Sequence, residues 1–389
     1  MEFLQPLGNK KRFESVDALR GLALLGILLA NVPFAENLRL HTVTGQFDTP
    51  LSFLFHLLIE KKFITIFSIL FGFGFYIQMK KADEAGINFR PYYFKRMLIL
   101  FLIGCIHAYL FWFGDIIRDY ALCGIVLLFV YKWSSKKILI TGIVFSVFLT
   151  ATVFIVNGAL GPQYSFDTSI VRDHPITNSY WQYLWINARI DPFVNFLQDS
   201  PITLVFCFGN MLLGFWMAKA GFFQYPDKFK SSRKRMILIG LLMGLSASYV
   251  FWLVTSGKLE LTPALLWLPY LIVTGMIMQS LFYISAFISL FQSTRLEKVL
   301  SVFIPVGKMS LTIYLVQTIL YLLVFFHWTH GLQLFGEINM TETYLIAILF
   351  FGIQVVFSKN WLKYHDQGPV ETVWKNLSYK FSKKLNYQL

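Results

Sequence analysis

Charge is scarce in this chain. Only 14% of its 389 residues are Asp, Glu, Lys or Arg, against roughly a quarter in soluble domains, which excludes an ordinary water-soluble enzyme or binding module. Cysteine is scarcer still, with Cys105, Cys123 and Cys207 the three present. All three lie inside apolar runs and show neither disulfide nor metal-ligand spacing, so they read as packing residues. HExxH, paired CxxC and GxSxG patterns are also missing, which removes support for zinc-protease or serine-hydrolase chemistry; no metal is expected. No internal repeat or low-complexity tract stands out.

Apolar surface, by contrast, is abundant: 56% of residues are hydrophobic and the mean hydropathy is +0.58. A bilayer crossing needs roughly 20 residues, and suitable runs fall near 17–35, 63–79, 97–113, 116–131, 138–156, 201–218, 236–255, 263–291, 309–327 and 343–358. The expected fold is therefore all-α, a polytopic integral membrane protein with about ten transmembrane helices. No small-residue cleavage site follows the first run, so the segment 1–15 is expected to remain as a cytoplasmic arm. Lys and Arg then collect in alternate connections, among them Lys80, Lys81, Lys136, Lys137 and the stretch from Lys219 to Arg235. By the positive-inside rule this places both the N and the C terminus in the cytoplasm. The net charge of +13 reads as attraction to anionic inner-leaflet lipids of the bilayer, with no separate basic domain for nucleic acid.

The expected division is a transmembrane helical domain over 1–358 and a cytoplasmic tail over 359–389. Within the tail, Val370, Val373, Trp374, Leu377 and Phe381 recur at helical spacing with lysines largely on other faces, the pattern of an amphipathic interfacial helix. The long connection 157–200 carries Trp181, Tyr183 and Trp185 and is expected to hold an interfacial segment or a lid.

Ionisable groups at membrane depth usually face a cavity or a partner, and they gather in "IHAYLFWFGDIIRDYAL". On a continuous helix His107 and Asp115 would fall on nearly one face, although Gly114 is expected to end the helix before Asp115, and a carboxylate beside an imidazole orients its tautomer and suits a general base. The alternative is a packing histidine bonded to a neighbouring helix, with Asp115 capping the next one. Arg118 and Asp119 add to the functional side unless they form a solvated loop pair. In the first run Asp17 and Arg20 stand one turn apart and Asn31 near the far end; Arg20 is either a snorkelling ion-pair partner or a phosphate ligand, which Arg96 could join. Gly72 and Gly74 of "FSILFGFGF" read as helix-packing glycines. Ser310, Thr312, Tyr314 and Gln317 either line a pathway or bond between helices, and His56 with Glu60 reads as an interfacial cluster.

The stretches "VDALRGLALLGILLANV", "FITIFSILFGFGF", "RMLILFLIGCIHAYLFWFGDIIRDYALCG", "VGKMSLTIYLVQT" and "QGPVETVWKNL" resemble, in order, the YeiB-like bacterial membrane proteins, domain of unknown function 418. That family looks like a branch of the transmembrane acyltransferases, which include polysaccharide acyltransferases and the lysosomal heparan-α-glucosaminide N-acetyltransferase. The resemblance implies transfer of an acyl group from cytoplasmic acyl-CoA, such as acetyl-CoA, to a small-molecule or glycan acceptor on the extracellular side of a bacterial plasma membrane. Asn31 stands where the polysaccharide branch has histidine and the lysosomal branch asparagine, while Ile99 replaces the second arginine of the motif begun by Arg96. His107 is the substitute candidate for the catalytic base, with Asp115 as its orienting partner. Asp17, Arg20, Asn31, Arg96, Arg118, Asp119, Tyr314 and Gln317 are the candidate substrate-binding residues. A transporter or proton pathway and a non-catalytic scaffold or sensor remain alternatives, and a homodimer is left open.

Overall fold

The computed structural model describes residues 11–36, 46, 48–86, 88–160, 176–191 and 200–386. The arm before Lys11 and most of the connection 157–200 lie outside the described residues, as do the side chains of the tail beyond Ser378, Phe381 included. Among the described residues there is no strand, and each of the ten apolar runs falls on a helix.

The order is α1 (Lys11–Glu36), α2 (Asp48–Leu58), α3 (Lys62–Glu84), α4 (Phe89–Leu110) and α5 (Ile117–Val130). Next, α6 (Ser135–Ile143) passes through a π-helical stretch, Val144–Leu149, into α7 (Thr150–Leu160). They are followed by α8 (Tyr180–Ile190), α9 (Ser200–Ala220), α10 (Lys230–Thr255) and α11 (Leu268–Phe291). The last group is α12 (Thr294–Leu300), α13 (Ile304–Lys308), α14 (Ser310–Phe325), α15 (Met340–Trp361) and α16 (Pro369–Asn386).

Among the described residues, six helical stretches are long and apolar enough to cross a membrane: Phe89–Leu110, Ser135–Val156, Ile202–Ala220, Pro226–Thr255, Pro263–Phe291 and Met340–Trp361. A seventh is obtained if Thr294–Lys308 and Ser310–Phe325, which meet at 82°, count as one broken span. At 14 residues, α5 is shorter than the roughly 20 that a straight crossing needs.

Where helices cross, missing side chains let their backbones touch. A Cβ on Gly72 of α3 would lie 1.9 Å from the Met211 carbonyl oxygen of α9, and one on Gly214 of α9 would lie 1.9 Å from the Ile69 carbonyl oxygen. The same device seats α13 on α1, because a Cβ at Gly307 would fall 1.8 Å from the Asp17 carbonyl oxygen. Close approach of this kind replaces the hydrophobic drive that is absent between helices in lipid. The two glycines of "FSILFGFGF" therefore part ways: Gly72 packs as expected, whereas Gly74 meets nothing within 4 Å and opens onto the interior.

The break before α14 leaves that helix's first amides without intrahelical partners. Glu371 on α16 supplies them, accepting from Leu311 N at 2.7 Å, from Thr312 N at 3.1 Å and from the Thr312 hydroxyl at 2.5 Å. The tail helix is thus fastened to the bundle, and Trp374 adds a bond from its indole N–H to the Arg96 carbonyl at 2.8 Å.

Gly72→Val should lower the thermal stability of the detergent-solubilised protein by about 1–3 kcal/mol, the usual cost of overpacking a tight contact. Gly74→Ala should leave its Tm unchanged or slightly raised, and a fluorescence melting curve of both variants checks the contrast.

Candidate functional site

A cavity of about 700 Å³ lies between the helices. Its wall includes Arg20 and Asn31 of α1, whose eleven-residue separation corresponds to about 16 Å of helix. A stripe of α3 from Phe63 through Phe67, Phe71 and Gly74 to Gln78 forms one side at helical spacing. At the tail-helix end the wall is mostly cationic, with Arg20, Arg96, Lys308 and Lys375 beside Trp374 and one carboxylate, Glu371. At the other end, where α4 turns into α5, it carries Asn31, Trp112, Asp115 and Asp119, joined by His56, Glu60 and Lys61 from the elbow between α2 and α3.

His107 meets Asp115, though not along one helix face. The chain leaves the helix at Leu110, with the amides of Phe111 and Trp112 both donating to the His107 carbonyl, and a turn folds Asp115 back against α4. A Cβ at Gly104 would lie 2.8 Å from Arg118 N and 2.9 Å from Asp115 Oδ1, so the missing side chain makes the room. His107 Nδ1 lies 2.7 Å from Asp115 Oδ2, and Nε2 lies 2.9 Å from the Thr318 hydroxyl of α14. With Nδ1–H donating to the carboxylate, the neutral ring accepts from Thr318, so both nitrogens are engaged. His107 is 3% exposed and is not part of the cavity wall, whereas Asp115 is. The base and the packing readings therefore share one geometry: an Asp-oriented imidazole that is bonded to a neighbouring helix.

Asp115 also accepts from the Arg118 backbone N–H at 3.0 Å, the capping bond the alternative reading expected. Arg118 and Asp119 are not a solvated loop pair, for they are 1% and 7% exposed. The Arg118 guanidinium donates to Asp191 at 2.7 Å, and its Nε stands 3.7 Å from Asp115. Asp191 follows α8, whose Asn187 amide group accepts from Phe113 N and donates to the Ala108 carbonyl. This segment of the connection 157–200 is thus a clamp on the turn after α4, with Tyr183 buried and Trp181 exposed. Asp119 makes no hydrogen bond or ion pair among the described residues.

Asp17 and Arg20 pair at 2.9 Å, as their spacing requires. The Arg96 guanidinium stacks 3.7 Å from the Trp374 ring centroid. Tyr314 packs 5.4 Å from the His107 ring and lines the cavity. Gln317 does not reach the main cavity; its amide donates to Gln354 at 3.2 Å and to the Leu24 carbonyl at 3.4 Å, the interhelical option. It shares a second pocket of about 20 Å³ with Asn31, Trp112, Tyr314 and Thr318, room for about one water. No group of His, Cys, Asp and Glu suited to a metal occurs among the described residues.

Sequence reasoning did not place Lys308, Trp374, Lys375 or Asp191 at the site, and it read His56 and Glu60 as interfacial although they stand on the cavity wall. The signal for His56 and Glu60 was present in their one-turn spacing ahead of Lys61 and Lys62. For Asp191 there was none, since nothing local ties residue 191 to residue 118.

The protein named "Uncharacterized protein YxaH" of Bacillus subtilis (strain 168) is 30% identical to this chain, covering 97% of both. "Uncharacterized protein YeiB" of Escherichia coli (strain K12) is 27% identical over 95% of this chain and 96% of its own length. Residues 217–381 match the family described as protein of unknown function (DUF418). The chain belongs to the YeiB-like DUF418 family. In this YeiB-like protein, residues 12–188 also match the catalytic region described as heparan-alpha-glucosaminide N-acetyltransferase. That match covers α1 through most of α8 and so includes His56, His107, Asp115 and Arg118. No solved structure matches the chain significantly.

Arg118→Ala should cost this YeiB-like protein about 3–5 kcal/mol, because it withdraws a buried cation shared by two carboxylates. Arg118→Lys should recover only part of that loss, since a point ammonium cannot replace the guanidinium fork. Chemical denaturation in detergent micelles measures both.

Proposed function

We propose that the protein is an integral-membrane acyltransferase that takes an acyl group from cytoplasmic acyl-CoA and passes it to a small-molecule or glycan acceptor on the extracellular side of a bacterial plasma membrane. The observation that carries this reading is one cavity that gathers Arg20, Arg96, Lys308 and Lys375 at one end and Asp115 and Asp119 at the other. In the proposed arrangement ten helices cross the membrane, both termini are cytoplasmic, and the tail-helix end is the donor mouth. Coenzyme A is a polyanion, and Arg20, Arg96, Lys308 and Lys375 face the space its phosphates would enter. The Trp374 indole offers a flat apolar face beside them.

The thioester would thread the apolar middle between α1 and α3, whose wall of Phe63, Phe67 and Phe71 excludes water from the reacting carbon. At the far end Asn31, Asp115 and Asp119 would bind the acceptor's polar groups. His107 holds Asp115 in one orientation there, and Tyr314 closes the space between α14 and the dyad. The match to an N-acetyltransferase catalytic region supports acetyl-CoA as donor. One observation favours a second reading, a proton or solute pathway: Asp119 faces a cavity lined from one end of the bundle to the other and makes no bond among the described residues.

Coenzyme A and acetyl-CoA should raise the Tm of the full-length protein in detergent, by an amount equivalent to about 2.7 kcal/mol at 100 times Kd. The double substitution Arg20→Ala with Arg96→Ala should abolish the shift while leaving the melting cooperative. No shift with either ligand, combined with proton uptake by proteoliposomes that disappears in Asp119→Asn, would decide for transport.

A further inference from the structure

We infer that His56, oriented by Glu60, is the proton acceptor at the acceptor end of the cavity. The inference rests on the acyl-transfer reading and assigns the step that His107 is poorly placed to perform. A base needs a nitrogen free to take a proton, within reach of the substrate. His107 has neither a free nitrogen nor a place on the wall. His56 has both: Nδ1 lies 2.5 Å from Glu60 Oε2, both residues line the cavity, and Nε2 has no partner among the described residues. No other described histidine stands on that wall.

The elbow that carries this pair is held from several sides. Gln279 of α11 donates to the Leu57 carbonyl at 2.8 Å, Tyr283 donates to the Leu58 carbonyl at 3.0 Å, and the buried Lys62 ammonium donates to the His56 carbonyl at 2.5 Å. Lys61 is in the left-handed region with φ 64°, a conformation a non-glycine residue keeps only where its surroundings impose it. Phe55 and Phe251 present ring edges to the imidazole at 5.3 and 6.1 Å. Glu60 lies in the elbow, outside the apolar runs. Burial works to raise its carboxyl, but the His56 hydrogen bond and the Lys61 and Lys62 charges outweigh it and hold Glu60 below its ordinary value. It therefore stays ionised as the orienting partner, and Lys61 brings a cation to the same wall.

The elbow lies at the acceptor end because α3 and α4 run antiparallel across the short connection after Glu84. The residue before α3 and the turn after α4 consequently face the same end of the cavity. In the step, the acceptor's nitrogen or oxygen bonds to the thioester carbonyl carbon while its proton passes to His56 Nε2. The carbon–sulfur bond breaks, and His56 returns the proton to the departing sulfur, giving free coenzyme A thiol and the acylated acceptor.

Diethyl pyrocarbonate, which reacts with a free imidazole nitrogen, tests the geometry on the full-length protein in nanodiscs with mass-spectrometric mapping. His56 should be labelled and His107 spared, and Glu60→Gln should slow labelling of His56. Thiol release from acetyl-CoA with glucosamine as acceptor tests the role: His56→Gln should lose on the order of 10²–10⁴-fold in rate while keeping the coenzyme A-induced Tm shift. Glu60→Gln should lower kcat with KM unchanged. An unlabelled His56, labelling indifferent to Glu60→Gln, or a His56→Gln protein that transfers at the wild-type rate overturns the assignment. A wild-type protein with no coenzyme A shift instead overturns the acyl-transfer reading, and the labelling result still decides whether the dyad exists.

Discussion

Arg118 holds together the end of the bundle where α4 turns into α5 by answering two carboxylates at once. Asp115 belongs to the turn after α4 and Asp191 to the segment after α8, and neither could be buried as a lone anion, since removing an ionised group from water costs several kcal/mol. One guanidinium between them lets the chain bring the α8 segment down onto the turn, and Asn187 adds two backbone bonds to the same place. The turn is then fixed, and with it the direction in which Asp115 and Asp119 face. His107 serves the same end from behind, spending both nitrogens on Asp115 and Thr318 and so tying α4 to α14.

The opposite end is built differently, with more cations than carboxylates on the cavity wall. Arg96 stacks on Trp374 and makes no ion pair among the described residues, and Glu371 of the tail helix is occupied by backbone amides of α14. Beside it the cavity wall carries a group of cations on α1, α4, α13 and α16. Four cations converging on one end of a cavity, with Arg20 alone among them in a hydrogen-bonded ion pair among the described residues, suit the anionic donor proposed above.

Much of the architecture was legible because each apolar run has one stable outcome in lipid: a helix that satisfies its own backbone. All ten runs became helices, and the tail's helical spacing became α16. The Asp17–Arg20 pair was legible too, being set by one turn of helix. What was not legible depended on contacts between distant segments. The sequence suggested that His107 and Asp115 meet and that Gly114 breaks the helix between them, but not the turn that folds Asp115 back against α4. Asp191, Thr318 and Glu371 took their roles from elements 73, 211 and 60 residues away from their partners. His56 and Glu60 looked peripheral because hydropathy sees the end of a helix and not the hollow beside it.

The crossing of α3 over α9 reaches further than its own contact. Gly72 and Gly214 set the distance between the two helices, while the opposite flank of α3 supplies the aromatic stripe that borders the cavity. The bore of the passage is therefore gauged from outside it, by two absent methyl groups on the far side of its wall. Larger residues at this crossing would push α3 toward the hollow and narrow it, without altering any residue on its wall.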